Sequence, residues 1–142
     1  MSLALRSSKH FLVFLAVAII GCQNEPRLFP VTGIVSFGDG QRIPAGSVEF
    51  MPVDGGPAAR GAIKSDGTFE LRTGSRIGAV AGQHRVVVLH VAVNDGYHKH
   101  VHRHPGFRVV HSKHRRYETS GIECQIEPRE TNHIKVVVSS DR

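Results

Sequence analysis

At 142 residues the chain has the length of one ordinary domain, and its two cysteines are too few for a disulfide framework, so a hydrophobic core has to carry the fold. Lys and Arg number 18 against 12 Asp and Glu, but the excess of base is local. From Gly96 to Tyr117 there are six Lys or Arg, six His and no acid, whereas the rest of the chain from Cys22 on carries ten bases against 12 acids.

The chain opens on "MSLALRSSKH", with Arg6 and Lys9 and no acid, followed by ten unbroken apolar residues, Phe11–Ile20. Ten helical residues span about 15 Å, half the hydrocarbon thickness of a bilayer, so the run reads as a signal-peptide core and not as a membrane span. "IIGC" follows, with Ile19 three positions before Cys22 and the small Gly21 directly before it. This pattern resembles the bacterial lipobox. The resemblance implies removal of residues 1–21 and acylation of the Cys22 sulfur and amine, each buried methylene adding about 0.8 kcal/mol to membrane attachment. Gln23 follows, with no aspartate of the kind tied to inner-membrane retention, which points to the outer membrane where a cell has two. Residues 22–30, with Pro26 and Pro30, form a short polar tether.

From residue 31 to residue 140 the chain reads as one domain of strands separated by turns. "VTGIVSF" places Val31, Val35 and Phe37 on one side, "GDGQRIPAG" is a turn, and "SVEFMPV" places Val48 and Phe50 together, with Pro52 marking its end or an edge. In "ARGAIKSDGTFELRT", alternating runs flank Asp66-Gly67, the mark of a hairpin. "GQHRVVVLHVAV" is nearly continuous in apolar residues, as for a strand covered on both faces. "GIECQIEP" and "NHIKVVVSS" suggest a closing hairpin around "RET", with Cys124 on the side of Ile122 and Ile126 as a small core residue. No helical periodicity follows the signal segment. About seven strands with frequent turns predict an all-β fold, an antiparallel Ig-like or prealbumin-like β-sandwich.

The run "PVTGIVSF…IPAGSVEFMPVDGGPAARGAIKSDGTFEL…GQHRVVV" resembles the carboxypeptidase-regulatory-like, transthyretin-type domains of small bacterial lipoproteins. Those domains have a V-x-G-x-V first strand, a P-x-x-G turn before V-x-F, a D-G-x-F-x-L hairpin and a G-x-Y-x-V-x-V strand, where this chain has His84 at the aromatic position. "KHRRYETSGIECQIEP" is similar to a further segment of that group, with extra residues before Tyr117 and Ile122 in place of leucine. The resemblance implies the sandwich fold and no active site.

The stretch 95–118 is a basic, His-rich connection. Its "HKHVHRH" sets His98, His100, His102 and His104 at every second position, so an extended backbone turns four imidazoles to one side, about 6.5–7 Å apart at Cα. Two or three of them offer a weak site for a divalent transition metal such as Zn, Ni or Cu. Against this, Lys99, Arg103 and Arg108 repel a cation, and residues 96–117 hold no carboxylate to orient an imidazole. The second reading is anion binding by Lys99, Arg103, Arg108, Lys113, Arg115 and Arg116, strengthened below the histidine pKa of about 6.5. A domain anchored through Cys22 meets anionic lipid or acidic polysaccharide before nucleic acid, which is not an expected partner. The third reading is a solvated connection with no ligand.

The chain lacks G-x-S-x-G, H-E-x-x-H and a glycine-rich phosphate loop after a strand, so no catalytic residue is assigned and no enzyme is expected. His84 and His133 stand singly on strands, as structural histidines do. The expectation is a non-catalytic envelope lipoprotein, a binding or structural module with the His/Arg stretch as its contact surface. The alternatives are a metal-binding envelope protein using the four alternating histidines, and an accessory domain docking on an envelope protein through a sheet edge.

Overall fold

Apolar residues recur at every second position from Val31 onward, and a computed structural model, which describes residues 25–89 and 108–141, folds these runs into an all-β sandwich. Its strands are β1 (Val31–Phe37), β2 (Ser47–Pro52), β3 (Ala59–Ala62), β4 (Thr68–Glu70), β5 (Arg72–Thr73), β6 (Arg76–Ile77), β7 (Gly82–Leu89), β8 (Ile122–Ile126) and β9 (Asn132–Val138). One sheet has the order β4-β1-β9, the other β6-β5-β3-β2-β7-β8. The described residues include no α-helix; a 3₁₀ helix, Ser112–Arg115, lies against β7.

Period-two geometry sends Val31, Val35 and Phe37 inward from β1, Val48 and Phe50 from β2, and Val136 and Val138 from β9. Phe50 and Phe69 meet across the two sheets with ring centroids 5.8 Å apart. Each such side chain contributes about 1.5–3 kcal/mol by leaving water. Val86 and Val88 are buried on the inner face and Val87 on the outer, but Gln83, Arg85 and Leu89 are exposed, so β7 is covered on both faces only around Val87 and not along its whole length as its apolar run suggests. Pro52 ends β2, a central strand, where its missing N–H interrupts no further ladder.

Two hairpin expectations need correction in their pairing. The Asp66-Gly67 turn forms: Gly67 N–H donates to Lys64 O (2.8 Å), Lys64 N–H to Thr68 O (2.8 Å), and Gly67 has φ +80°. Beyond the turn the strands part, β3 joining the six-stranded sheet and β4 the three-stranded one. β5 then crosses back beside β3, which divides one sequence run into short strands and brings the strand number above seven. The closing hairpin around "RET" is not a hairpin. β8 pairs antiparallel with β7, whereas β9 pairs parallel with β1 from Val31↔Asn132 to Phe37↔Val138. Alternation determines which face points inward and leaves the identity of the neighbouring strand open.

Strand direction gives the sandwich two ends. At one, Phe29 bridges Ala79, and Pro30 O accepts from the Asn132 N–H (3.0 Å); β7 starts here, with Gly82 opposite Ile126. At the other, β1 ends opposite Val138, close to Asp39, Arg108 and Ser140. β7 runs toward this far end over eight residues, about 26 Å. Leu89 and Arg108, which bracket residues 90–107, thus both lie away from the tether.

Candidate anion-binding surface

Of the residues singled out by sequence, Cys22, His98, Lys99, His100, His102, Arg103 and His104 lie outside the described residues. Arg108, Lys113, Arg115 and Arg116 are placed, and they divide into two groups.

Arg108 serves the fold. Its guanidinium pairs with Asp39, donates to Ser140 Oγ at 3.1 Å and lies 4.1 Å from the centre of the Phe37 ring. The Asp39 carboxyl is held below its usual pKa, first by the Gln41 N–H and also by Arg108. A cation so engaged holds the chain to the far end of the sandwich and has little left to offer a ligand.

Lys113, Arg115 and Arg116 are displayed. They are exposed on and beside the 3₁₀ helix, and among the described residues the nearest carboxylate contact is Arg116 with Glu118 at 3.9 Å. Their backbone is fastened by His114, which points the opposite way and is 5% exposed. The Ser139 N–H donates to His114 Nε2 (3.0 Å), so Nε2 is unprotonated and Nδ1–H must donate to Ser120 O, also at 3.0 Å. Burial keeps this imidazole neutral, its pKa lowered despite the Ser120 carbonyl. His111 Nδ1 accepts from the Lys113 N–H (3.1 Å), and Thr119 Oγ1 donates to Lys113 O (2.7 Å). Two histidines of the basic stretch therefore act as anchors that aim its cations outward.

Further arginines stand on the outer face of the six-stranded sheet. Register places Arg72, Arg60, Glu49 and Val87 in one cross-strand row, with Arg85 opposite Met51 and Glu123. Glu49 is nearly buried and accepts from both Arg60 Nε and the Tyr117 hydroxyl. Tyr117 is thereby held to the sheet, its pKa raised by burial and then by Glu49. Arg85, Tyr117, Glu118 and Glu123 line a hollow of about 300 Å³ beside it. The sequence reading missed Glu49 and these arginines. The available signal was a single carboxylate at the outward position of the apolar strand "SVEFMPV", which has to find a partner.

No family model, curated protein or solved structure matches the chain.

His84 is fully buried, its Nδ1–H on Gly82 O at 3.0 Å and its ring against Phe50 at 6.4 Å. His133 is exposed and bonds Thr32 Oγ1 through Nδ1 at 2.8 Å. Cys124 is half-buried against the core, and burial pushes its thiol up to about 12, which keeps it an unreactive thiol. Among the described residues no group of three or more His, Cys, Asp or Glu is gathered to hold a metal.

Proposed function

We propose that the chain is a non-catalytic bacterial lipoprotein that presents a basic surface to an anionic polymer of the cell envelope. In this reading Cys22 carries the lipid, residues 22–30 tether the domain to the outer membrane, and the sandwich is of the transthyretin-like kind. One observation carries the reading: His114 is built into the fold so that Lys113, Arg115 and Arg116 face solvent from a fastened backbone.

The two ends of the sandwich favour polymer over lipid in this reading. The tether joins at the Phe29–Pro30 end, while Asp39, Arg108 and the termini of β1 and β7 lie at the other. The basic segment thus begins and ends on the side away from the anchoring bilayer, where an acidic polysaccharide is the anion within reach. Electrostatic attraction decays over about 8–10 Å at physiological salt, so head groups at the tether end, about 26 Å away along β7, are screened from it.

Labelling with radioactive palmitate tests the anchor: wild type takes up label and Cys22→Ala does not, and label retained by Cys22→Ala removes the lipid assignment. Binding of the full chain to acidic polysaccharide should weaken at least tenfold between about 50 and 500 mM salt. It should weaken by a similar factor in a Lys113→Ala, Arg115→Ala, Arg116→Ala variant. Salt-independent binding, or preference for anionic vesicles over polysaccharide, overturns the assignment.

A further inference from the structure

The outer face of the three-stranded sheet, across the sandwich from the arginine row, carries a second arrangement of polar groups. Its central strand β1 bears the uncharged outward side chains Thr32 and Ile34, while the flanking strands bear Glu70 and Thr68 on one side and His133 and Lys135 on the other. Register sets Glu70, Thr32 and His133 in one row and Thr68, Ile34 and Lys135 in the next. Between Glu70, His133 and Lys135 lies a depression of about 530 Å³, with Gly33 among its lining residues and Lys64 from the neighbouring turn at its border. That volume is within the range of small-ligand sites.

The chemistry of the depression is mixed. Glu70 and Lys135 stand two strand spacings apart and one row along, about 12 Å, and neither has an ion-pair partner among the described residues. Glu70 can only accept hydrogen bonds and Lys135 can only donate them. Thr32 and His133 hold each other at 2.8 Å, which leaves His133 Nε2 for an occupant. Lys64 adds positive charge, part of which is spent on Asp66. An occupant must therefore bring hydroxyl or amine donors to one side and negative charge to the other, with an apolar face for Ile34. Inorganic phosphate satisfies only the lysines. A sugar acid satisfies all three.

We propose that this face is a binding site for a uronic-acid unit of an acidic polysaccharide, its carboxylate on Lys135, its ring hydroxyls on Glu70 and the threonines, and its C–H face on Ile34. The site shares only its ligand class with the surface proposed above and lies on the other sheet.

The test is titration of the full chain, in detergent, with oligogalacturonate, followed by backbone amide shifts. Thr32, Ile34, Thr68 and Lys135 should shift and saturate, the fully methyl-esterified oligomer should bind about tenfold more weakly, and Lys135→Gln should show a similar loss. The sign of the Glu70→Gln effect is decisive. A simple anion site gains affinity when this carboxylate is neutralised, whereas a site that receives sugar hydroxyls loses it. No shift at millimolar ligand, tighter binding by Glu70→Gln, or equal shifts with inorganic phosphate overturns the proposal. The Lys113, Arg115, Arg116 variant separates the two sites: amide shifts on β1 and β9 that survive it belong to this one, even if the basic surface binds nothing.

Discussion

His84 shows what one imidazole does inside a hydrophobic core. Its Nδ1–H is satisfied by Gly82 O, but Nε2 is buried with no hydrogen-bond partner among the described residues. An unsatisfied buried acceptor costs about 1–3 kcal/mol, comparable to the bond the ring gains. His84→Phe keeps the contact with Phe50 and removes the orphaned nitrogen, so we expect stability equal to wild type or higher by about 1 kcal/mol in urea unfolding. Gly33 is the opposite case. A Cβ there would lie 2.1 Å from Ile134 O and 2.5 Å from the Phe69 ring, and both neighbours are held by the sheet and the core. Gly33→Ala is expected to cost about 3 kcal/mol. Gly38→Ala meets nothing within 4 Å and serves as the control, within about 0.5 kcal/mol of wild type. The glycine of V-x-G-x-V was legible as part of a pattern. The Phe69 ring that requires it was not, because it comes from a strand 36 residues later.

At the scale of elements, strand content was readable and partnership was not. Val31, Val35 and Phe37, or Val48 and Phe50, announce themselves by alternation, and each is buried in the fold. Which strands become neighbours depends on corners, and the β8–β9 corner is held by Asn132. Its Oδ1 accepts from the Glu127 N–H (2.9 Å), and its Nδ2 donates to Glu127 O (3.0 Å) and Pro30 O (3.3 Å). In the sequence Asn132 is an ordinary turn residue after "RET"; its three partners appear only once the tether passes beside it. Asn132→Asp replaces two donated bonds with a carboxylate facing two carbonyls. We expect a loss of about 3 kcal/mol or more, measured as a lower urea midpoint with an unchanged slope. The basic stretch divides in the same way. Its charge was legible, but the inward turn of His114 and the internal use of Arg108 depend on Ser139, Asp39 and Phe37, all supplied by distant segments, and on Ser120, six residues on.

For the molecule as a whole, the buried histidines make stability depend on pH. Burial lowers the pKa of both His84 and His114 below the ordinary value of 6.5. Above about pH 7.5 both rings are neutral in either state and contribute no pH dependence. As pH falls below that, the unfolded chain binds protons that the fold refuses, so stability declines until the folded pKa values are passed. Asp39 and Asp66 also have lowered pKa values, but their contribution is present above the unfolded value of 3.8 and lost only as pH falls through the folded values. The histidine effect is therefore isolated between about pH 7.5 and about pH 5. The urea midpoint should fall across this range, and fall less in His84→Phe; an equal fall in both removes His84 from the account.

The parallel pairing of β1 with β9 also has a mechanical side. Under the proposed anchoring, tension between the lipid on Cys22 and a bound polymer would enter the body at Val31 and be drawn along the axis of β1. Seven register positions on one flank and three on the other then slide together, in shear, before any of them parts. A hairpin in that place would have peeled open rung by rung; this seam yields all at once or not at all.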